Sequence, residues 1–308
     1  MITLLETAVI ETGESDSLLA LGPSEDDGRY DWAEDDDRKQ QSIALPGVRE
    51  KHSDKEYADY DTGKAFIKGE GDASSVHEND VAQGSLGDCY LIAGMVAVAR
   101  ANPALVEDLI NDHGDGTFTV TLYIRENRYS KPKAVKTVID ARLPEKHAGT
   151  PLYAKLGDKS DGAVEMWPAL IEKAVAQQKG SYDLISGGNI GKGGFTFKGA
   201  SELLTGNAEG YMRTSGLDED DALLHIALAL DDKMPVTCDS KNMADDEAMS
   251  KEAVKYNVYG NHAYAPKSVD LDGRTISLTN PWGSSHVTDL PVADFLKYYR
   301  AIRINEGP

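Results

Sequence analysis

Basic residues are scarce in this 308-residue chain: 32 lysines and arginines stand against 52 aspartates and glutamates, for a formal net charge of −20 and a pI near 4.7. Phosphate backbones and anionic lipid surfaces repel such a chain, so neither nucleic acid nor membrane is expected as a partner. Cysteine is nearly absent, with only Cys89 and Cys238, which excludes a disulfide framework and fits a reducing compartment. No apolar run approaches the ~20 residues of a membrane helix. The start "MITLLETAVIETGESD" has no basic region and no long apolar stretch, unlike a secretory signal. A cytoplasmic location is the default expectation, with export by a route lacking a cleaved signal left open.

Apolar residues make up 40% of the chain, and its length suffices for one large or two modest domains. Residues 11–38 hold eleven acidic and two basic side chains. They can bury too little surface to offset the entropy of ordering, so residues 1–59 read as an acidic, flexible extension. From Tyr60 the composition becomes globular. "CYLIAGMVAVAR" (Cys89–Arg100) predicts a buried helix ended by Asn102-Pro103, and "TFTVTLYI" and "AVKTVID" predict strands. "EMWPALIEKAVAQQKG" predicts a helix with Pro168 in its first turn and Gly180 as its stop. The glycine-rich "SGGNIGKGGFTFKG" (Ser186–Gly199) has neither GKS/GKT nor G-x-G-x-x-G. It reads as a connector dividing 60–199 from 200–308. Beyond it come an acid-capped helix near Leu217–Asp232 and the strand-like "MPVTCDS", "AYAPKSVDL", "TISLTN" and "YYRAIRIN", pointing to an antiparallel sheet.

"QGSLGDCYLIAGM" (Gln83–Met95) places Cys89 where a helix begins. A helix N-terminus favours thiolate over thiol, although free cysteine is also among the most buried residue types. A nucleophilic thiol needs a base. His225 lies in "ALLHIALAL", where a satisfied core histidine is the default. His262 instead opens a predicted strand beside small residues, and Asn280 ends the next strand eighteen residues on. Cys, His, Asn is the chain order of papain-like hydrolases, in which the asparagine orients the imidazole. Cys238, within "PVTCDS", reads as structural.

"QGSLGDCYLIAGMVAVA" resembles the calpain cysteine signature, "NHAYAPKSVD" its histidine segment and "LTNPWG" its asparagine segment. "EMWPALIEKAVAQQKGSYDLISGG" and "LPVADFLKYYRAIRI" are similar to the runs closing the two calpain core subdomains. The likeness spans about 60–305. It implies an α+β fold, a papain-like two-lobed cysteine protease core with a helical lobe carrying Cys89 and an antiparallel β lobe carrying His262 and Asn280. It implies a cysteine endopeptidase that cleaves protein substrates through a thioacyl-enzyme. Cys89 would be nucleophile, His262 base, Asn280 orienter, Gln83 an oxyanion donor and Trp282 a shield over the His–Asn pair. Tyr90 stands where the family has tryptophan, and Asn261 where it has glycine. The regulatory modules of animal calpains do not follow the core, which points to a bacterial member.

The resemblance also implies calcium. Asp80 and Glu165 occupy the places of the first-lobe acids, while "SSHVTDLPVAD" lacks the usual second-lobe residues, so at most one calcium site is expected. The competing expectation is that Asp80 and Glu165 make ordinary polar contacts. No cofactor is required for the chemistry itself. Autoprocessing of the acidic extension is a further expectation. Two alternatives to the endopeptidase stand: an acyl transferase or deamidase using the same triad, and a non-catalytic calpain-shaped binding protein.

Overall fold

The computed structural model describes residues 43–127, 129–187 and 199–307. The acidic 11–38 stretch and most of the glycine-rich connector lie outside the described residues.

Helix α1 (Cys89–Ala101) is buried at every position from Leu91 to Ala99, as a helix without a polar face must be. Asn102 ends it and caps α2 (Pro103–Leu109), its Oδ1 accepting from the Leu105 N–H at 3.3 Å, with Pro103 at the first helical position. Strands β1 (Ile110–Asp112), β2 (Thr117–Ile124) and β3 (Lys133–Asp140) form an antiparallel sheet in that order. Phe118, Val120 and Leu122 of β2 share one fully buried face, following the period of two. Helix α3 (Trp167–Lys179) carries Pro168 in its first turn and stops at Gly180, whose φ of 99° is the left-handed conformation glycine adopts freely. Together with α4 (Ala200–Thr205), these elements enclose a first hydrophobic core that includes Leu91, Met95, Phe118, Trp167, Ile171 and Leu203. A Cβ at Gly94 would stand 2.4 Å from that of Ala200, so the missing side chain lets α4 lie directly on α1.

A second core lies on a six-stranded sheet. Its strands are β4 (Glu209–Arg213), β5 (Val236–Ser240), β6 (Ala263–Asp270), β7 (Thr275–Thr279), β8 (Val287–Pro291) and β9 (Tyr299–Asn305), ordered β4-β9-β5-β6-β7-β8. Every neighbouring pair is antiparallel. Helix α5 (Glu219–Asp231) packs on β6 and on α7 (Val292–Tyr298), while α6 (Glu247–Ala253) lies between β5 and β6 in sequence. Asp218 caps α5 by accepting the Asp221 N–H at 2.8 Å, and Glu219, Asp220 and Asp221 fill its first turn. The molecule is thus an α+β arrangement whose larger sheets are antiparallel. Among the described residues no single helix is long and apolar enough to cross a membrane.

Three expectations shift. Residues 43–59 are packed on the body: Tyr57–Ala58 pairs with Leu143–Pro144, and Arg49 bonds Asp183 at 3.0 Å. Backbone pairing and ion pairs hold this segment, and composition does not register either. The break between the cores falls after α4 rather than at residue 199, because Leu203 and Leu204 belong to the first core. His225 is exposed. Helix α5 buries Ala222, Leu223, Ile226 and Ala229, which leaves His225 on the outer face with Leu224 and Leu228.

Candidate active site

The register Ala265↔Thr279 between β6 and β7 brings the residues just beyond those strand ends together. His262 precedes β6 and Asn280 follows β7. His262 Nε2 and Asn280 Oδ1 are 3.0 Å apart, with Asn280 fully buried. Asn280 Oδ1 also accepts the Trp282 N–H at 3.1 Å, while Asn280 Nδ2 donates to Ser285 O at 3.2 Å. The amide orientation is therefore fixed from both sides. It puts the ring proton on Nε2 and leaves Nδ1 as the basic nitrogen.

The imidazole is boxed by aromatic rings. Trp282 lies 4.8 Å from it, centroid to centroid, and Tyr264 meets it edge-on at 4.9 Å. Trp282 packs in turn on Tyr259 at 4.5 Å. Burial pushes the His262 pKa below its ordinary value, and the Asn280 hydrogen bond offsets part of that shift. Asn261, standing where a glycine was expected, adopts φ 53°, a left-handed conformation that asparagine tolerates.

Cys89 opens α1, which packs against β6. The Ala263 backbone N–H acts on the sulfur and lowers the thiol pKa, so the thiol lies near the residue following His262. The thiolate expected from the helix start is not favoured here. Burial pushes the thiol up to about 11, and the negative Asp88 and Asp239 add to the rise against the Ala263 N–H. No hydrogen bond between Cys89 and His262 is present among the described residues.

Gln83 is drawn to the same place by its backbone, whose N–H donates to Pro281 O at 2.8 Å. Gly283 at φ 72° leaves room for the approach, since a Cβ there would lie 2.9 Å from that of Ala82. The Gln83 side chain is occupied, however. Its Nε2 donates to Leu86 O at 2.7 Å and Asp88 Oδ1 at 3.1 Å, so both amide protons are used inside the loop.

Two positioning groups have no signature in the sequence. Ser240 of β5 accepts the His262 N–H at 2.8 Å and its hydroxyl reaches the Tyr259 and His262 carbonyls. His286 Nδ1 accepts the Asn280 N–H at 3.1 Å. A third, Arg100 near the far end of α1, donates to Glu78, to the Ala265 and Pro266 carbonyls and to Thr279 Oγ1. It ties α1 to both strands that carry the histidine and the asparagine. Cys238 is fully buried in β5, paired with Tyr264 of β6.

Asp80 and Glu165 do lie together, and burial first, then the charges of Asp80 and Asp158, push Glu165 up to about 8. Their oxygens face N–H donors. Asp80 Oδ2 accepts from His77 N at 2.6 Å and Trp167 Nε1 at 3.2 Å, and Glu165 accepts from Ile67 N at 2.9 Å and Asp158 N at 3.3 Å. Among the described residues no group of three or more His, Cys, Asp or Glu side chains could hold a metal ion. Calcium takes six to eight oxygens, and Asp80 and Glu165 together have only four, so a site here would need carbonyls and water besides and would compete with these N–H donors.

The model of the calpain family cysteine proteases matches residues 59–289. The calpain-2 catalytic subunit of Gallus gallus is 29% identical over 216 residues, covering 68% of this chain and 29% of the relative. Calpain-9 of Mus musculus is 26% identical over 233 residues, covering 74% and 31%, and mouse calpain-8 is 29% identical over 211 residues, covering 66% and 28%. The chain therefore spans less than a third of the length of these relatives. The family match covers most of this chain and contains the segments that carry Cys89, His262 and Asn280, and the chain belongs to the calpain family of cysteine proteases.

Proposed function

We propose that this chain is a cysteine endopeptidase that cleaves peptide bonds in protein substrates with Cys89, His262 and Asn280. The observation that carries this reading is the buried His262–Asn280 pair under Trp282, set against a thiol at the start of α1. The two cores would act as the lobes of a papain-like protease, with the scissile bond between them.

Both groups start neutral. As Cys89 Sγ attacks the carbonyl carbon, its proton passes to His262 Nδ1, and the imidazolium is stabilised through Nε2–H by Asn280 Oδ1. The Cys89 backbone N–H, at a helix start where such donors have no intrahelical acceptor, can stabilise the oxyanion. Collapse expels the amine, which takes the proton from Nδ1 and leaves a thioester. Water then attacks that thioester, giving its proton to Nδ1. The thiolate leaves and takes the proton back from Nδ1, releasing the new carboxyl end. Trp282 keeps water from the His–Asn hydrogen bond. For Gln83 to add a second oxyanion donor, one of its present acceptors must be released. No step uses calcium.

Casein digestion by wild type and Cys89→Ala, in calcium and in chelator, tests the reading. Cleavage lost only in the alanine variant is expected. Amine incorporation without cleavage would replace it with acyl transfer, and Cys89 labelling no faster than Cys238 would favour a binding protein.

A further inference from the structure

Asp88 immediately precedes the nucleophile and stands at the cap position of α1, yet its side chain caps nothing. It turns inward, where Oδ1 accepts from the Gln83 amide at 3.1 Å, and its carboxyl group lies within interaction range of Glu172 of α3. Both carboxyl groups are almost wholly enclosed, Asp88 at 0% and Glu172 at 1% exposure. Glu172 oxygens accept the Ala154 N–H at 3.0 and 3.2 Å.

Among the described residues no cation acts on this pair. Gln83 contacts Asp88 directly, and the charge of the pair acts on the Cys89 thiol and on the buried tyrosines Tyr90 and Tyr182. The adjacent Lys173 points elsewhere, to Asp140 and the Arg142 carbonyl. Two buried carboxylates without a cation cannot both ionise, because each raises the cost of charging the other. One proton must remain. Asp88 Oδ1 receives an amide N–H, which favours the anion there, and buried Asp88 Oδ2 receives no amide or hydroxyl donor. A carboxylic proton on Glu172 fills that vacancy. Consistently, burial and then the Asp88 charge push Glu172 well above the ordinary carboxyl range.

Resting on the protease reading above, we propose that Glu172 is a proton-bearing positioning residue: as a neutral acid it ties Asp88, and through Asp88 the Gln83 amide and the start of α1, into the geometry that presents Cys89. Glutamine can take over this role, since its amide donates to Asp88 and its carbonyl accepts from Ala154. Alanine cannot.

The test uses the full chain. Infrared difference spectra at neutral pH between wild type and Glu172→Gln should contain the carbonyl stretch of a neutral carboxylic acid, present only in wild type. Glu172→Gln should keep kcat/KM on casein and the rate of Cys89 alkylation within about threefold, whereas Glu172→Ala should lower kcat about tenfold or more with little change in KM, the size of one lost charge-assisted hydrogen bond. An infrared difference without that band, or a glutamine variant as impaired as the alanine variant, overturns the proposal. If wild type cleaves no casein, the protease reading fails by itself. The infrared band and the alkylation rates of the two variants then still decide the role of Glu172.

Discussion

Replacing Arg100 with methionine keeps an apolar stem of similar length but removes the guanidinium donors that join α1 to β6 and β7. The guanidinium is 18% exposed and its partner Glu78 11%, so the ion pair is mostly screened from water. The substitution deletes the Glu78 pair, the contacts to the Ala265 and Pro266 carbonyls and the 2.6 Å bond to Thr279 Oγ1. It also strands the Glu78 carboxylate, whose other cation, Lys267, is 3.9 Å away and 61% exposed. Breaking a fully buried pair from one side costs ~3–5 kcal/mol; residual exposure places this case near ~3 kcal/mol. For a domain of this size that lowers Tm by about 6–12 °C, readable by calorimetry. The catalytic effect is separable, because Arg100 sits about 16 Å along α1 from Cys89 at 1.5 Å per residue. It sets how α1 lies on the strands carrying His262 and Asn280, and a displacement of about 1 Å can cost ~100-fold in rate. We expect kcat/KM to fall at least about tenfold at temperatures where the variant is fully folded. Arg100→Lys should recover little of either loss, since an ammonium cannot span these four acceptors as the planar fork does. A Glu78→Gln/Arg100→Met cycle isolates the pair. An unchanged Tm together with an unchanged kcat/KM would refute the reasoning.

The remaining expectations concern the cleft and the acid pair. Because Cys89 is pushed up to about 11 while His262 lies below its ordinary value, iodoacetamide labelling of Cys89 should rise only above the ~8.5 of a free thiol; a labelling limb below that value would show a standing thiolate–imidazolium pair. The same shifts put the acid limb of kcat/KM below ~6.5, since neutral His262 is the active base and is lost as pH falls through its lowered pKa. Asn280→Ala should reduce kcat while leaving Tm near wild type within a few degrees, and less severely than Cys89→Ala; single-turnover rates equal to wild type would remove its orienting role. With residues 1–42 deleted, Tm and casein cleavage should be the same in calcium and in chelator, because Asp80 and Glu165 already face N–H donors. A rise in Tm lost in Asp80→Asn would establish a calcium site there.

Local chemistry made much of this protein legible from its sequence. The apolar run after Cys89, Pro168 and Gly180 at the ends of α3, and the alternation in β2 specify their elements because those signals act within a few residues. The Cys–His–Asn order and the three quoted segments likewise pointed to His262 and Asn280, which lie 3.0 Å apart, and to Cys89 on the helix that packs against β6. What required the fold were properties set by neighbours distant in the chain. The thiol at a helix start is opposed by burial and by Asp239, 150 positions away. Gln83 is positioned by the distant Pro281 carbonyl, and Arg100 looks like an ordinary helix-end cation until β6 and β7 supply its acceptors. Periodicity fixes which face of an element is apolar, but desolvation and hydrogen bonding depend on what the opposite element brings. That is decided only when the two cores close on α1.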